Sequence, residues 1–216
     1  MNNGSGNFTD SGQLLGSSKS YCPALGDLNG DGSLDAFVAN YMGQANKVWL
    51  NEPATAVVEI SVILQGDTGR PDPGWVIPLN AKFYTPNTTD LIHSSNQTTV
   101  KSDSTATANF TGIAPGTYDI YVFSEHTMTN YYQDKVITAP YTFVDMGTLK
   151  DGDANSSGFV NFADFLVLLA SFGLSDGEPG YDPMADFNRG GFVNFADFLI
   201  LLDNFGNSGP FDVTTP

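Results

Sequence analysis

The sequence predicts a mostly β chain that ends in a small α-helical domain. In the middle of the chain, short apolar runs rich in β-branched and aromatic residues are separated by Gly, Pro, Asn and Asp. A nine-residue stretch, Gly158–Leu166, returns letter for letter at Gly191–Leu199, and an apolar segment of helical period follows each copy. Near the N-terminus, an acidic loop is flanked by strand-like residues instead. These three patterns indicate a β blade, a β-sandwich and a loop–helix domain, in that order.

The 216 residues are predicted to divide into three domains. Residues 1–53 form the blade, residues 54–149 the sandwich and residues 150–216 the loop–helix domain. The connection Thr148–Gly152 is too short to act as a flexible linker. We therefore expect the second and third domains to move as one rigid body.

In the first domain, an acidic loop precedes the predicted strand Ala36–Ala39 and the apolar segment Lys47–Asn51. The loop has the spacing of a calcium site, with candidate ligands Asp27, Asn29, Asp31, Ser33 and Asp35. These motifs resemble a single FG-GAP or VCBS repeat, which is one blade of an integrin-type β-propeller. A single blade cannot bury its apolar faces alone. The resemblance therefore implies packing against the middle domain, against further blades or against another subunit.

The second domain contains at least four strand-like runs, separated by turn residues. The runs are Val57–Leu64, Val76–Tyr84, Thr117–Phe123 and Lys135–Val144. They predict a β-sandwich of about seven strands. The segment Gly112–Asp119 resembles the turn and strand typical of carboxypeptidase-regulatory-like and other prealbumin-like modules.

Each copy of the repeated stretch completes a 12-residue loop with the ligand spacing of a calcium site. In the first loop the candidate ligands are Asp153, Asn155, Ser157, the carbonyl of Phe159, Asn161 and Asp164. In the second they are Asp186, Asn188, the carbonyl of Phe192, Asn194 and Asp197. With the N-terminal loop, the chain has room for up to three calcium ions. The alternative is a duplicated helical hairpin in which these Asp and Asn residues only cap helices.

Position 5 of the two loops is Ser157 and Gly190, where Asp is usual. Each loop therefore brings only two carboxylates, and we expect both sites to be weaker than sensor-class sites, with water completing the second. The acidic pair Asp151 and Asp153 is also assigned to calcium rather than to catalysis.

A calcium loop followed by a single helix, twice over and with no helix entering the loop, resembles a dockerin. The two copies share 13 of 17 residues between positions 157–173 and 190–206. The resemblance implies a cohesin-like partner, and a pseudo-two-fold axis that lets a partner engage either helix. In dockerins, loop positions 10 and 11 often carry the contact as Ser-Thr; here both pairs are Phe-Ala, which favours an apolar contact.

Both helices have more apolar residues than one buried stripe requires. One stripe in each helix is predicted to pack the helices together: Phe162, Phe165, Leu166, Leu169 and Phe172, then Phe195, Phe198, Leu199, Leu202 and Phe205. The candidate partner residues are Phe162, Ala163, Val167, Leu168, Phe195, Ala196, Ile200 and Leu201. For Phe162 and Phe195, core packing remains the alternative.

Charge and composition limit the classes of partner and the location that we expect for the chain. Its 24 acidic and 8 basic residues give a net charge of −16, which disfavours nucleic acid and anionic membranes as partners. No apolar segment is long enough for membrane insertion, and no signal peptide is evident, so we expect a mature or partial chain of an extracellular or cell-surface protein. Glycans are compatible with six sequons, at Asn3, Asn7, Asn87, Asn96, Asn109 and Asn155. The lone Cys22 is expected to be a small buried residue.

No catalytic site is predicted. Ser124, Glu125 and His126 are adjacent in sequence, so alternate side chains point to opposite faces of a strand, and the chain has no hydrolase, zinc-protease or nucleotide-binding motif. The sequence favours a non-catalytic attachment module with a cohesin-like partner. Two alternatives remain: a subunit that assembles with copies of itself into an extracellular fibre or sheath, and the C-terminal tail of a large secreted enzyme.

Overall fold

A computed structural model describes residues 19–30, 33–51, 54–66, 76–102 and 105–210. Within these ranges the chain has eleven β-strands and two α-helices, so it is mostly β, as the sequence predicts. It divides into two compact units, Met1–Pro53 and Ala54–Pro216. The separation of residues 54–149 from residues 150–216 as two domains stays a prediction. Asp31 and the sequons at Asn3 and Asn7 lie outside the described residues.

The first unit contains one antiparallel sheet of three strands, β1 (Ser20–Gly26), β2 (Asp35–Asn40) and β3 (Lys47–Trp49), in that order. Leu25, Ala36 and Trp49 are paired across the strands on one face, and Ala24, Phe37 and Val48 on the other. Both faces are therefore apolar, which is typical of a sheet that is covered on both sides. Cys22 is exposed rather than buried, because this sheet has no core of its own among the described residues.

The second unit begins with a β-sandwich of two four-stranded sheets. One sheet has the order β10-β9-β5-β6 and the other β11-β4-β8-β7, with β11 parallel to β4 and all other neighbours antiparallel. The strands are β4 (Ala56–Leu64), β5 (Pro78–Tyr84), β6 (Leu91–Thr98), β7 (Val100–Ser102), β8 (Thr105–Ile113), β9 (Gly116–Phe123), β10 (Asn130–Ile137) and β11 (Tyr141–Leu149). Alternate residues of these strands fill the core between the sheets, for example Val58, Ile60, Leu79, Phe83 and Phe110.

The sandwich departs from its prediction in two places. The run Lys135–Val144 is not one strand, because a turn at Thr138–Pro140 separates β10 from β11. Strands β6 and β8 are rich in Ser, Thr and Asn, and β7 has only three residues; none of the three falls within a predicted run. In β8 the period-two signal exists but is carried by the small residues Ala106 and Ala108, which are buried together with Phe110.

The rest of the second unit holds α1 (Phe162–Ser171) and α2 (Phe195–Asn204). Each helix begins at a capping box: the side chain of Asn161 or Asn194 accepts from the backbone, and the Asp three residues later reaches back to the cap. A short 3₁₀ helix, Pro183–Ala185, precedes the second loop, so the prediction that no helix enters the loops is wrong for a single turn there. No helix in the described ranges is long and apolar enough to cross a membrane.

The two repeats hold each other by reciprocal backbone hydrogen bonds. After α1, Gly173 N–H donates to Val193 O (2.8 Å), and Val193 N–H donates to Leu174 O (3.0 Å). After α2, Gly206 N–H donates to Val160 O (2.8 Å), and Val160 N–H donates to Asn207 O (3.0 Å). The end of each acidic loop is thus paired with the segment that follows the other helix.

Candidate functional site

The first repeated loop is shaped by its two carboxylates. Asp153 accepts from Ser157 N–H (2.8 Å) and Gly158 N–H (2.7 Å), which closes the first half of the loop. Asp164 accepts from Asn155 N–H (3.1 Å) and Asn161 N–H (2.8 Å), which ties the loop to the start of α1. Gly158, at position 6, has φ +79°, a left-handed conformation that glycine adopts without strain.

The second loop has the same geometry. Asp186 accepts from Gly190 N–H (2.9 Å) and Gly191 N–H (2.7 Å). Asp197 accepts from Asn188 N–H (3.0 Å) and Asn194 N–H (2.9 Å). The missing side chain at Gly190 therefore leaves the closure of the loop intact, because its hydrogen bonds are made by the backbone.

The electrostatics of both loops favour a bound cation. Burial raises the pKa of Asp153, and the nearby charge of Asp164 raises it further against the lowering effect of the backbone hydrogen bonds. Burial likewise raises the pKa of Asp197, and Asp186 adds to the increase. Tyr181 donates to Asp186 (2.8 Å), and its own pKa is raised by burial and by this contact. Repelling, desolvated carboxylates of this kind are stabilised by a positive ion between them.

The donors in the loops are carboxylate, amide, hydroxyl and carbonyl oxygens, which suit a hard cation such as Ca²⁺. The residues that can hold it are those predicted: Asp153, Asn155, Ser157, Phe159, Asn161 and Asp164 in the first loop, and Asp186, Asn188, Phe192, Asn194 and Asp197 in the second. Across the described ranges, His, Cys, Asp and Glu form no metal-binding group of three or more. Each loop has only two carboxylates, so a complete shell there depends on neutral oxygens.

In the N-terminal loop, Asp35 is buried, and both of its oxygens accept backbone hydrogen bonds, from Leu28 N–H (2.8 Å) and Asn51 N–H (2.7 Å). Asp27 accepts from Gly30 N–H (2.7 Å). Asp35 thus links the loop to the segment after β3 through hydrogen bonds. Asn29 and Ser33 lie in the same loop.

The two helices expose matching apolar surfaces. We call this surface the docking face; each of its side chains is between 48% and 61% exposed. Its members are Phe162, Leu166 and Leu169 on α1 with Phe172 directly after it, and Phe195, Leu199 and Leu202 on α2 with Phe205 directly after it. Phe165 and Phe198 are partly buried and join the two helices in a row of rings, with centroid distances of 5.7 Å (Phe162 to Phe165), 6.2 Å (Phe165 to Phe198) and 5.6 Å (Phe198 to Phe195).

The observed burial corrects the prediction of which helix residues pack in the core and which face a partner. Leu168 and Leu201, predicted to contact a partner, are 1% exposed and lie in the core with Val160 and Phe187. Val167 and Ile200 are partly buried against the same core. Phe162, Ala163, Phe195 and Ala196 are exposed, and so are the leucines predicted to pack the helices together. The loops supply the core on the opposite side of each helix, and a helix-by-helix pattern cannot show where that core lies.

A buried polar network joins the loop–helix region to the sandwich. Asp151 is fully buried and bonds the His126 ring (Nδ1 to Oδ1, 2.9 Å) and the Arg189 guanidinium (3.2 Å). The His126 ring also packs edge-on against Phe187, with the centroids 5.5 Å apart. We call His126, Asp151 and Arg189 the junction network; Asp151 therefore serves this junction rather than calcium.

One feature of the sequence points to the junction network. Arg189 is one of only eight basic residues, and it occupies position 4 of an otherwise acidic loop. The Ser124-Glu-His126 segment also has a structural explanation: the Ser124 hydroxyl donates to Pro78 O (2.6 Å), whereas His126 bonds Asp151. Their side chains are thus directed to different partners.

Gln65 and Asn204 extend the contact between the sandwich and the loop–helix region. Gln65 accepts from Asp151 N–H (3.1 Å), and its amide donates to Asp203 at the end of α2 (3.0 Å). Asn204 donates to Asp151 O (2.7 Å). A Cβ on Gly66 would lie 2.8 Å from the side chain of Ile200, so glycine allows the close approach there.

No family model matches the chain, and no curated protein matches it. Solved structures do. A crystal structure of an N-terminal interface mutant of the type II Cohesin-X-Dockerin complex from Acetivibrio cellulolyticus matches with a TM-score of 0.52 and 17% identity, over 71% of this chain and 97% of the other. A C-terminal interface mutant of the same complex matches with a TM-score of 0.52 and 16% identity, over 70% and 97%. At this identity the likeness shows that the folds are shared.

Proposed function

We propose that the chain is a non-catalytic attachment module of the cohesin–dockerin kind, and that its C-terminal repeats are a dockerin. The observation that carries the proposal is the docking face, a duplicated apolar surface that stays exposed although the unit has two well-filled cores. A large exposed apolar patch on a folded protein is typical of an interaction site. The partner we propose is a cohesin-like domain with a complementary apolar surface.

The extent of the structural match supports the dockerin side of such a complex rather than the cohesin side. The alignment covers 71% of this chain, whereas residues 54–149 are less than half of it. The aligned region therefore extends beyond the sandwich. We propose that the sandwich and the two loop–helix repeats correspond to the X-Dockerin component of that complex.

In this proposal calcium orders the docking face. Asp153 and Asp164 repel each other when no ion is bound, and the same holds for Asp186 and Asp197. Binding of Ca²⁺ removes this repulsion, so part of its binding free energy becomes folding free energy. Each loop leads directly into a capped helix, and closure of the loops therefore sets the positions of both helices. Extracellular calcium concentrations suit sites of reduced charge.

The test is calorimetric binding of type I and type II cohesins to the full chain in calcium and in EGTA. The double variant Leu169→Asp plus Leu202→Asp places a charge on each half of the docking face and should abolish binding. Val136→Asp, at an exposed apolar residue of β10, is the matched control and should leave binding unchanged. If no cohesin binds in calcium, or if both variants bind equally well, the proposal is wrong.

A second candidate is a subunit that assembles with copies of itself, and the first unit favours it. Its three-stranded sheet is apolar on both faces, and Tyr21, Leu25 and Met42 are each at least 70% exposed. Size-exclusion chromatography with light scattering, in calcium and in EGTA, distinguishes the two. Long assemblies would support the structural subunit, and a monomer would support the attachment module.

A further inference from the structure

A tyrosine that precedes the second repeated loop contacts the first carboxylate of that loop. Tyr181 lies five residues before Asp186, and its hydroxyl donates to Asp186 Oδ2 (2.8 Å). The Tyr181 side chain is partly buried and packs against the apolar core that contains Phe187 and Leu201. The position of the hydroxyl is therefore set by packing of the ring, and the loop carboxylate is held by a residue that is not part of the loop.

Among the described residues, three donors hold the Asp186 carboxylate in one orientation. Oδ2 accepts from the Tyr181 hydroxyl and from Gly191 N–H (2.7 Å), and Oδ1 accepts from Gly190 N–H (2.9 Å). Because both oxygens accept, rotation of the carboxylate would break hydrogen bonds, and Asp186 is too deeply buried for water to replace them readily. A carboxylate has about four lone-pair positions, so these three donors still leave one for an ion.

The first loop supports its first carboxylate in a different way. At position 5, the Ser157 side chain forms a hydrogen bond with Asp153. The second loop has Gly190 at that position, which has no side chain to contribute. The residue five before Asp153 is Thr148, an exposed residue of β11. The tyrosine thus belongs to the loop that lacks a side chain at position 5.

The first repeat fixes the segment that carries Tyr181. Ser171, the last residue of α1, is fully buried, and its Oγ accepts from Asp182 N–H (2.8 Å). The Asp182 side chain then caps the 3₁₀ helix by accepting from Met184 N–H (2.9 Å). Tyr181 N–H donates to Glu178 O (3.1 Å). These bonds place the tyrosine before the loop begins, so its hydroxyl costs little further entropy to order.

We propose that Tyr181 is a positioning residue for calcium in the second loop, where its hydroxyl orients Asp186 as the position-5 side chain supports Asp153 in the first. The inference rests on the proposed calcium role of the loops. Loss of a group that orients a metal ligand typically costs about 10- to 100-fold in metal affinity. Tyr181→Phe removes the hydroxyl and keeps the ring, so the calcium affinity of the second loop should fall about tenfold or more, while that of the first is unchanged.

Calcium titration of the full chain, followed by NMR, measures both loops at once. The amides of Gly158 and Gly191 each donate at 2.7 Å to the first carboxylate of their loop, so each resonance reports its own loop. In Tyr181→Phe, the Gly191 midpoint should move to about tenfold higher calcium and the Gly158 midpoint should stay. An unchanged or lower Gly191 midpoint, or an equal shift of both, would overturn the proposal. If the unsubstituted chain shows no calcium transition at all, the proposed calcium role fails together with it.

Unfolding in urea separates positioning from a purely structural role. Tyr131 on β10 also hydrogen-bonds a buried carboxylate, that of Asp119, but in the sandwich, so Tyr131→Phe is the matched control. Tyr131→Phe should lower the free energy of unfolding equally in calcium and in EGTA, whereas Tyr181→Phe should lower it more in calcium. Equal losses for Tyr181→Phe under the two conditions would show that its hydroxyl only stabilises the fold, and the proposal would be wrong.

Discussion

At the scale of single residues, the same side chains in each loop cap a helix and stand at candidate metal-ligand positions. Asn161 caps α1, and Asp164 completes its capping box, yet both also stand at candidate ligand positions. Helix capping and metal binding therefore do not compete as explanations, because a capping carboxylate has further lone pairs for an ion. The side chains that close each loop thus also supply oxygens to an ion.

Asp164→Asn should remove one calcium site while leaving the other in place. The amide loses the charge at position 12 and one of the two oxygens that accept from Asn155 and Asn161 N–H, so the calcium affinity of the first loop should fall about tenfold or more. Calorimetry should show the number of tightly bound calcium ions fall by one. Asp197→Asn is the matched variant in the second loop and should give the same loss. An unchanged stoichiometry in both variants would contradict the ligand assignment.

Arg189→Ala should destabilise the second unit strongly. The substitution leaves the buried Asp151 carboxylate with His126 as its remaining side-chain partner in the junction network. Breaking a buried ion pair from one side costs about 3–5 kcal/mol, because a charge is left without compensation. Urea unfolding in calcium measures the change in free energy. Adding Asp151→Asn to the variant removes that charge and should recover part of the loss; no recovery would show that Arg189 acts through packing alone.

The hydrogen bonds that close each loop span only a few residues, so the course of the loop is legible in the local sequence, whereas the ligand role of its residues stays a prediction. The sequence does not predict the junction network. Asp151 and Arg189 are 38 residues apart, and His126 lies on another segment again, so nothing in the local pattern links them. Polar contacts between residues far apart in sequence depend on how the elements pack, and the sequence of one segment does not predict that packing.

At the scale of elements, reciprocal pairing makes each loop depend on the other repeat. A chain truncated after Phe205 loses the bonds from Gly206 and Asn207 to Val160, which end the first loop. The second loop keeps its bonds to Gly173 and Leu174. We therefore expect the truncation to weaken calcium binding in the first loop more than in the second, although the cut lies next to the second.

NMR separates the two loops in this experiment. The amides of Gly158 and Gly191 each donate to a loop carboxylate at 2.7 Å, so their resonances report closure of their own loop. In a calcium titration of the truncated chain, the Gly158 signal should reach its bound position at a higher concentration than Gly191. Equal midpoints would show that the pairing does not transmit stability.

The sequence of each helix predicts the helix itself but not which of its sides is buried. Both apolar stripes are visible in the sequence, and the period of the pattern indicates a helix correctly. Which stripe is buried depends on Phe187, Val160 and Val193, which reach the helices from the loops. The sequence predicts strands of the sandwich where large β-branched residues alternate but does not predict those in which Ala or Ser replaces them, because small residues give a weak periodic signal.

At the scale of the whole molecule, burial is distributed unevenly between the two units. Both apolar cores lie in residues 54–216. In the first unit, the only buried side chain among the described residues is Asp35, while its apolar side chains are largely exposed. A sheet of this size without a core gains too little from apolar burial to offset the entropy of ordering its chain.

We therefore expect a chain of residues 54–216 to fold alone, and a chain of residues 1–53 not to unfold cooperatively in isolation. The longer piece keeps the sandwich, the junction network and both repeated loops, so its unfolding midpoint should rise on addition of Ca²⁺. Mg²⁺ at equal concentration should raise the unfolding midpoint less than Ca²⁺ does. Both ions screen the net negative charge, but the oxygen ligands of the loops favour the larger Ca²⁺. Thermal unfolding followed by circular dichroism measures this difference. Equal effects of the two ions would show that calcium stabilises the unit by screening alone, and a cooperative transition in residues 1–53 would show that the blade has a core of its own.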